Sequence, residues 1–358
     1  MIRQAIADPW LAKLAVEGRL ALGRLKKNEW PGLDLRSNGS LLLAKKIVAR
    51  GRAPLHSIQK NLNRLDVRSV FVSKKEATKR VPLLEDGDFD EALFCPSDAF
   101  LNTRALLRAF ARNLKKRSVS ILLGMPLESL RKENKGFRLV AGGKMFFCKK
   151  LINASGAWAA PLAEKSGASK ISLTAYRRHL FWSRTFGAVS KKWPFVWHVN
   201  RGFYFRPDQG GLMISPCDKT SCGKSDRGSW IAENRIVDRG SWIAENRIVD
   251  RGSWIARGEG TDPMMEKILA EKLKQFSKKF KEIQFYDSKA GLRTMTPDGR
   301  FVVGEDPKLK NFYWVAGLGG HGITTCFSVG KLASDIIIGN AIDRKLENAL
   351  SPGRFVDH

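Results

Sequence analysis

The stretch "VAGLGGHGIT", residues 315–324, decides how this chain is read. Gly317, Gly319 and Gly322 satisfy G-x-G-x-x-G letter for letter. "NFYWVAG" before them reads as a strand and "ITTCFSVGKLASDIII" after them as a helix, the local setting a dinucleotide-binding turn requires. A free-standing fold of that kind needs more: a second strand after the helix, ending in an acidic residue about 20 positions on. Here that distance from Gly322 leads to Ile342-Asp343 at the end of the helix, and the chain closes with "KLENALSPGRFVDH", which offers no further strand. As a primary nucleotide fingerprint the motif fails. As a strand–loop–helix it stands.

The 358 residues suffice for about two domains, and 43% apolar content can fill their cores. No run approaches the ~20 apolar residues of a membrane span, and "MIRQAIADPW" has no signal-peptide core. Five cysteines without a C-x-x-C point to a reducing compartment, and the expected location is the cytoplasm. His56, His179, His198, His321 and His358 are scattered and "CDKTSC" has no histidine cluster beside it, so no metal site is expected. The net charge of +28 is spread over doublets such as Lys45-Lys46, Lys115-Lys116 and Lys278-Lys279. That distribution favours a generally basic surface over a dedicated nucleic-acid face.

Residues 98–160 read as helix ("DAFLNTRALLRAFARNLKKRS"), short buried strand ("VSILLG"), hairpin ("GFRLVAGGKMFF", turning at Gly142-Gly143), strand ("KKLINAS") and helix ("AWAAPLAEKSGA"). This mixture predicts an α/β layer. Residues 171–215 are strand-rich, and "DPMMEKILAEKLKQFSKKF" is an amphipathic helix. Between them "DRGSWIAENRIV" occupies 226–237 and 238–249 and begins again at 250. Two and a half copies fall short of a solenoid. The repeat over 226–256 is read as a duplication placed in a tolerant loop, with a stacking surface of Trp230, Trp242 and Trp254 as the alternative.

Four landmarks in order, "NASGAWAAPLAEKSGA", "FYFRPDQGGLMIS", "GLRTMTPDGRFVVGED" and "FYWVAGLGGHGITTCFSVGKLASDII", resemble one family. It is the FAD-dependent oxidoreductases related to D-amino-acid oxidase, glycine oxidase and sarcosine oxidase, and the resemblance runs from about residue 8 to 345. It implies an FAD-binding Rossmann-like layer interleaved with a strand-rich antiparallel substrate domain, an α/β (α+β) fold. It also implies that the C-terminal Gly-rich loop lies against the isoalloxazine ring, where a helix start offers unpaired N–H groups and partial positive charge. The family opens with a βαβ unit carrying its own G-x-G-x-x-G. No such glycine cluster precedes residue 100 here, so the FAD layer is expected to be incomplete and its remaining strands to have unpaired edges.

The resemblance implies residue roles. Arg293, in "GLRTMTPDG", matches an arginine that grips the substrate carboxylate, a task suited to a guanidinium with two parallel donors; a salt bridge between domains is the plainer alternative. Tyr204 matches a tyrosine that assists the same carboxylate, against an ordinary strand tyrosine. "YRRHLFW" places Arg178 and His179 on a strand resembling one that roofs the substrate pocket. Gly317, Gly319, Gly320, Gly322, Ile323 and Thr324 are expected against the flavin, with His321 fixing the loop, and Ala154, Ser155 and Gly156 near the cofactor's diphosphate side. Gly291 stands where sarcosine oxidases have the cysteine of their flavin thioether, so the FAD is expected to be non-covalent.

The implied reaction is oxidation of the Cα–H of a small carboxylate-bearing amine or 2-hydroxy acid by hydride transfer to flavin N5, with oxygen or another electron acceptor completing the cycle. Two alternatives stand beside it: a truncated, non-catalytic remnant of such an enzyme, and a basic nucleic-acid-binding protein. The expected FAD-binding domain comprises 1–34, 98–165 and 285–345. The expected substrate domain comprises 35–97 and 166–284, and 346–358 forms a tail.

Overall fold

A computed structural model describes residues 1–30, 32–46, 54–222 and 261–356. The tandem repeat at 226–256 and His358 lie outside these residues. The chain divides into two compact units. Unit 1 comprises Met1–Asn102, Arg177–Thr220 and Ser253–Gly291; unit 2 comprises Thr103–Tyr176, Ser221–Gly252 and Leu292–His358.

Unit 1 is built on a sheet whose strands run in the order Gly211–Ser215, Phe203–Asp208, Phe195–His198, Ser40–Ala44, Glu91–Cys95 and Val70–Val72. The pairing is antiparallel except between Phe195–His198 and Ser40–Ala44, which run parallel. Alternation in "FYFRPD" explains the strand: Phe203, Phe205 and Pro207 point inward while Tyr204, Arg206 and Asp208 face partly outward. Phe203 and Phe205 join Phe276 and Phe280 in the main core, each such side chain contributing about 2 kcal/mol through burial. The helices begin where local chemistry dictates. Asp8 accepts from the N–H groups of Trp10 and Leu11 ahead of Pro9–Asn28, Ser73 and Glu76 form a capping box, and Asp262 caps Pro263–Phe276.

His198 lies fully buried in this core, its Nε2–H donating to the Asp88 carbonyl and its Nδ1 accepting from the Arg201 N–H. Burial pushes its pKa below the usual 6.5. The unfolded chain therefore takes up a proton first, and this part of the stability is present above pH 6.5 and lost as pH falls through the folded value. Urea denaturation at pH 7.5 and 5.5 should show the loss, and His198→Asn should flatten the difference.

In unit 2 Val302–Glu305 pairs antiparallel with Phe312–Ala316, which pairs parallel with Leu151–Asn153. A meander, Leu127–Glu133, Gly136–Ala141 and Lys144–Cys148, and the helix Ala159–Ser166 pack around Phe137, Phe312 and Trp314. The helix Gly322–Ile338 follows the strand Phe312–Ala316 of the fourth landmark, as its sequence predicts.

Two expectations need correction. "VSILLG" (119–124) forms no strand among the described residues, and Val119, Ile121, Leu122 and Leu123 are exposed, Leu122 by 55%. Apolar content alone cannot hold a strand whose ladder groups find no neighbour. Leu151–Asn153 likewise pairs on one side only among the described strands, leaving Ile152 49% exposed. The expected tail, 346–358, begins within a helix. Arg344–Leu350 is a helix with Leu346 and Leu350 buried, and Asp343 caps it by accepting from the Lys345 and Leu346 N–H groups. Asp343→Ala should cost about 1 kcal/mol in denaturant melts and leave ligand binding unchanged.

Candidate active site

The geometry in unit 2 grows from the parallel pair. Trp314 stands opposite Asn153, so Phe312–Ala316 and Leu151–Asn153 end side by side, and each runs straight into a glycine-bearing turn. Crevices beyond the carboxyl ends of parallel strands are where open α/β sheets take ligands.

The first turn is Gly317–His321, leading into the helix Gly322–Ile338. Gly317 (φ +69°) and Gly320 (φ +89°) adopt left-handed conformations and are also approached closely. A Cβ on Gly317 would lie 3.0 Å from Thr296 Cγ2, and one on Gly320 would lie 3.1 Å from Arg293 Cδ. The loop is pinned by Gly319 N–H donating to the Thr294 carbonyl (3.0 Å) and His321 N–H to the Leu318 carbonyl (2.8 Å). His321 is the N-cap residue but supplies no side-chain cap, so the helix start keeps its positive end for a ligand. Thr324 is buried in the first turn and Ile323 is exposed.

Arg293 enters from the strand Asp287–Met295, its side chain lying across Gly320. The following Pro297-Asp298-Gly299 turn is fixed by Arg354, which donates to both Asp298 oxygens (2.9 and 3.2 Å). Burial pushes the Asp298 carboxyl up, but Arg354, the Arg300 N–H and Thr296 together more than offset this and leave it below the usual range.

The second turn holds Ala154, Ser155 and Gly156, the last at φ +58°. Asn153, buried, organises it. Its Oδ1 accepts from the Ser155 hydroxyl (2.6 Å) and its Nδ2 donates to the Ala159 carbonyl (2.8 Å). Ser155 is thus committed to the turn, and Ala154 and Gly156 are its exposed members.

Unit 1 holds the remaining predicted residues. Tyr204 lies opposite Trp197 and Ser215, with its ring 5.3 Å from that of Phe195. Burial holds the Arg3 guanidinium below its usual pKa, with the Asp98 carboxylate opposing and the Arg178 charge adding a small further lowering. His179 turns elsewhere. Fully buried, it donates through Nδ1–H to Asp218 (2.8 Å) and accepts at Nε2 from the Asp262 N–H (3.0 Å). Both ring nitrogens are occupied in holding the fold, which leaves none to meet a substrate. Burial raises the Asp218 carboxyl, yet the His179 bonds and the Arg178 charge bring it below the usual range. Arg3, Lys272, Asn153 and Asp218 were not legible as site residues, because each acquires its setting from partners far away in sequence.

The comparisons agree with this geometry. A family profile described as DAO, FAD dependent oxidoreductase, matches residues 1–336. Among solved structures, L-proline dehydrogenase from P. horikoshii is similar at TM-score 0.78 and 17% identity, covering 99% of this chain and 86% of that one. Glycine oxidase from Geobacillus kaustophilus matches at TM-score 0.72 and 20% identity, covering 97% and 83%. Iminodiacetate oxidase from Chelativorans sp. BNC1 matches at 0.67 and 18%, covering 98% and 88%. The residues of unit 2 fit the ring end of an FAD. Glycines in both turns, Gly317, Gly319 and Gly320 in one and Gly156 in the other, and a helix start without a side-chain cap offer close approach and N–H donors.

Proposed function

The chain belongs to the DAO family of FAD-dependent oxidoreductases, and from that premise we propose that it oxidises the Cα–H of a small carboxylate-bearing amine or 2-hydroxy acid. The observation that carries this reading is the placing of Arg293 across Gly320, at the glycine turn beyond the parallel strands. When bound there, FAD supplies the two-electron acceptor. The protein's part is positional. Arg293 offers two parallel donors to the substrate carboxylate and so orients the C–H bond. The first-turn N–H groups of Gly322–Ile338 favour negative charge developing at the edge of the ring. Gly317, Gly319 and Gly320 let backbone approach closely, and Ala154 and Gly156 offer the neighbouring turn.

Glycine oxidase, L-proline dehydrogenase and iminodiacetate oxidase among the similar structures favour an amine over a hydroxy acid. The test is anaerobic mixing of the FAD-loaded protein with a panel of small amino acids and 2-hydroxy acids. Bleaching of the flavin by an amino acid, primary or secondary, assigns an amine. Bleaching only by 2-hydroxy acids assigns a hydroxy acid, and no bleaching by any member overturns the proposal. We place the protein in the cytoplasm. All five thiols are free, and burial pushes Cys95 up to about 12 and Cys326 to about 11, which keeps them protonated and inert. No helix among the described residues is long and apolar enough to cross a membrane.

A further inference from the structure

In unit 2 the helix Thr103–Lys116 and the segment that leaves it expose six large apolar side chains: Leu107, Leu114, Val119, Ile121, Leu122 and Leu123. Leu107 and Leu122 are each 55% exposed. Single exposed apolar residues are ordinary on a protein surface, but a run of them marks a surface that meets something else. Within the helix the arrangement is ordered. Leu106 and Ala109 are buried, and Phe110 stacks on Phe327 with ring centroids 5.1 Å apart. Leu107 and Leu114, two turns apart, form a stripe beside Phe110 that the core does not cover.

The segment after the helix is fixed at both ends. The Val119 N–H donates to the Leu114 carbonyl (3.0 Å), and the Pro126 carbonyl accepts from the Gly142 N–H (3.1 Å). Between these ties Ile121, Leu122 and Leu123 stay outside the core. The charge of the whole stretch has one sign. Arg104, Arg108, Arg112, Lys115, Lys116 and Arg117 supply six cations, and no Asp or Glu occurs between Thr103 and Leu127. Spacings of three and four set Arg104, Arg108, Arg112 and Lys115 along the side of the helix next to the leucine stripe.

An apolar stripe beside a cationic one suits a helix lying in a bilayer interface, where apolar side chains enter the acyl boundary and cations stay at anionic headgroups. A two-fold dimer through this face would instead set the six cations against their own copies, in a chain that already carries +28. We propose that the helix Thr103–Lys116 and the segment 119–123 dock on the anionic lipid surface of a membrane, on which the protein rests without spanning it. The face includes no residue assigned to flavin or substrate, so it stands or falls separately from the glycine turns.

The test is co-sedimentation of the full chain with vesicles of phosphatidylcholine alone and of phosphatidylcholine with about one third phosphatidylglycerol, at about 0.15 M salt. Saturable binding to the anionic vesicles alone is expected. A strongly basic chain is drawn to any anionic surface, so the deciding variant changes no charge. Ile121→Gln, Leu122→Gln and Leu123→Gln together should weaken vesicle binding roughly a hundredfold. Met145→Gln with Phe147→Gln, exposed positions on the strand Lys144–Cys148, should leave it unchanged. Should the triple variant not fold, Leu107→Gln with Leu114→Gln should weaken binding in the same way. No binding to anionic vesicles, or equal binding by the wild type and the glutamine variant that folds, overturns the proposal. A wild-type dimer in light scattering that the same variant converts to monomer also overturns it, because a second copy then covers the face.

Discussion

Asp306→Ala is expected to cost about 4 kcal/mol or more, most of the stability of a domain at the low end of the ordinary range of about 5–15 kcal/mol. The Asp306 carboxylate is 3% exposed and is the acceptor for five donors. They are the backbone N–H (3.0 Å) and hydroxyl (3.2 Å) of Ser169, the N–H groups of Lys308 (3.0 Å) and Leu309 (2.8 Å), and the indole N–H of Trp314 (2.9 Å). Removing it strands buried donors in three segments at once, at roughly 1–3 kcal/mol each before water relieves some of them. The loss would also free the strand Phe312–Ala316, whose end carries the glycine turn. Urea denaturation followed by tryptophan fluorescence measures it, because Trp314 is fully buried. Asp306→Asn, which keeps one good acceptor, should lose about half as much. A loss below about 1 kcal/mol for the alanine variant would show that the network carries little of the stability.

Arg293→Met should lower kcat/KM by about a thousandfold in the FAD-loaded protein, with flavin retention unchanged. Two charge-assisted hydrogen bonds to one carboxylate are worth about 1.5–3 kcal/mol each, and roughly 4 kcal/mol corresponds to that factor. Arg293→Lys keeps the charge but loses the fork, and a fall of about tenfold to a hundredfold is expected. Gly320→Ala probes the same site indirectly. Its Cβ would sit 3.1 Å from Arg293 Cδ on a backbone at φ +89°, so it should displace the guanidinium and raise KM while Arg293 remains present. Unchanged kcat/KM in Arg293→Met would remove Arg293 from substrate binding and return it to a structural role.

The strand–loop–helix at 312–338 was legible because its glycines mark backbone that no other residue adopts cheaply and its flanks have unambiguous periods. The hairpin at Gly142-Gly143 was legible for the same reason. "VSILLG" was not, since a short apolar run reads as a strand whether or not a neighbour exists to complete its ladder. Asp306 looked like the end of a motif, yet its role depends on Ser169, 137 residues away. His179 drew attention as a histidine on a polar-rich strand, and only the fold reveals Asp218 and Asp262 on its two nitrogens. Lys272 is an ordinary lysine among 63 basic residues until the tertiary structure rests its ammonium on the carbonyls of Gly202 and Pro216.

The most direct test of the central claim, that the turns beyond the parallel strands receive the ring end of FAD, is a single binding experiment. The full 358-residue chain is equilibrated with FAD and passed through gel filtration, and the visible spectrum of the protein peak is recorded. The account predicts flavin absorbance travelling with the protein. A colourless protein peak, with all the flavin in the small-molecule volume, would contradict it.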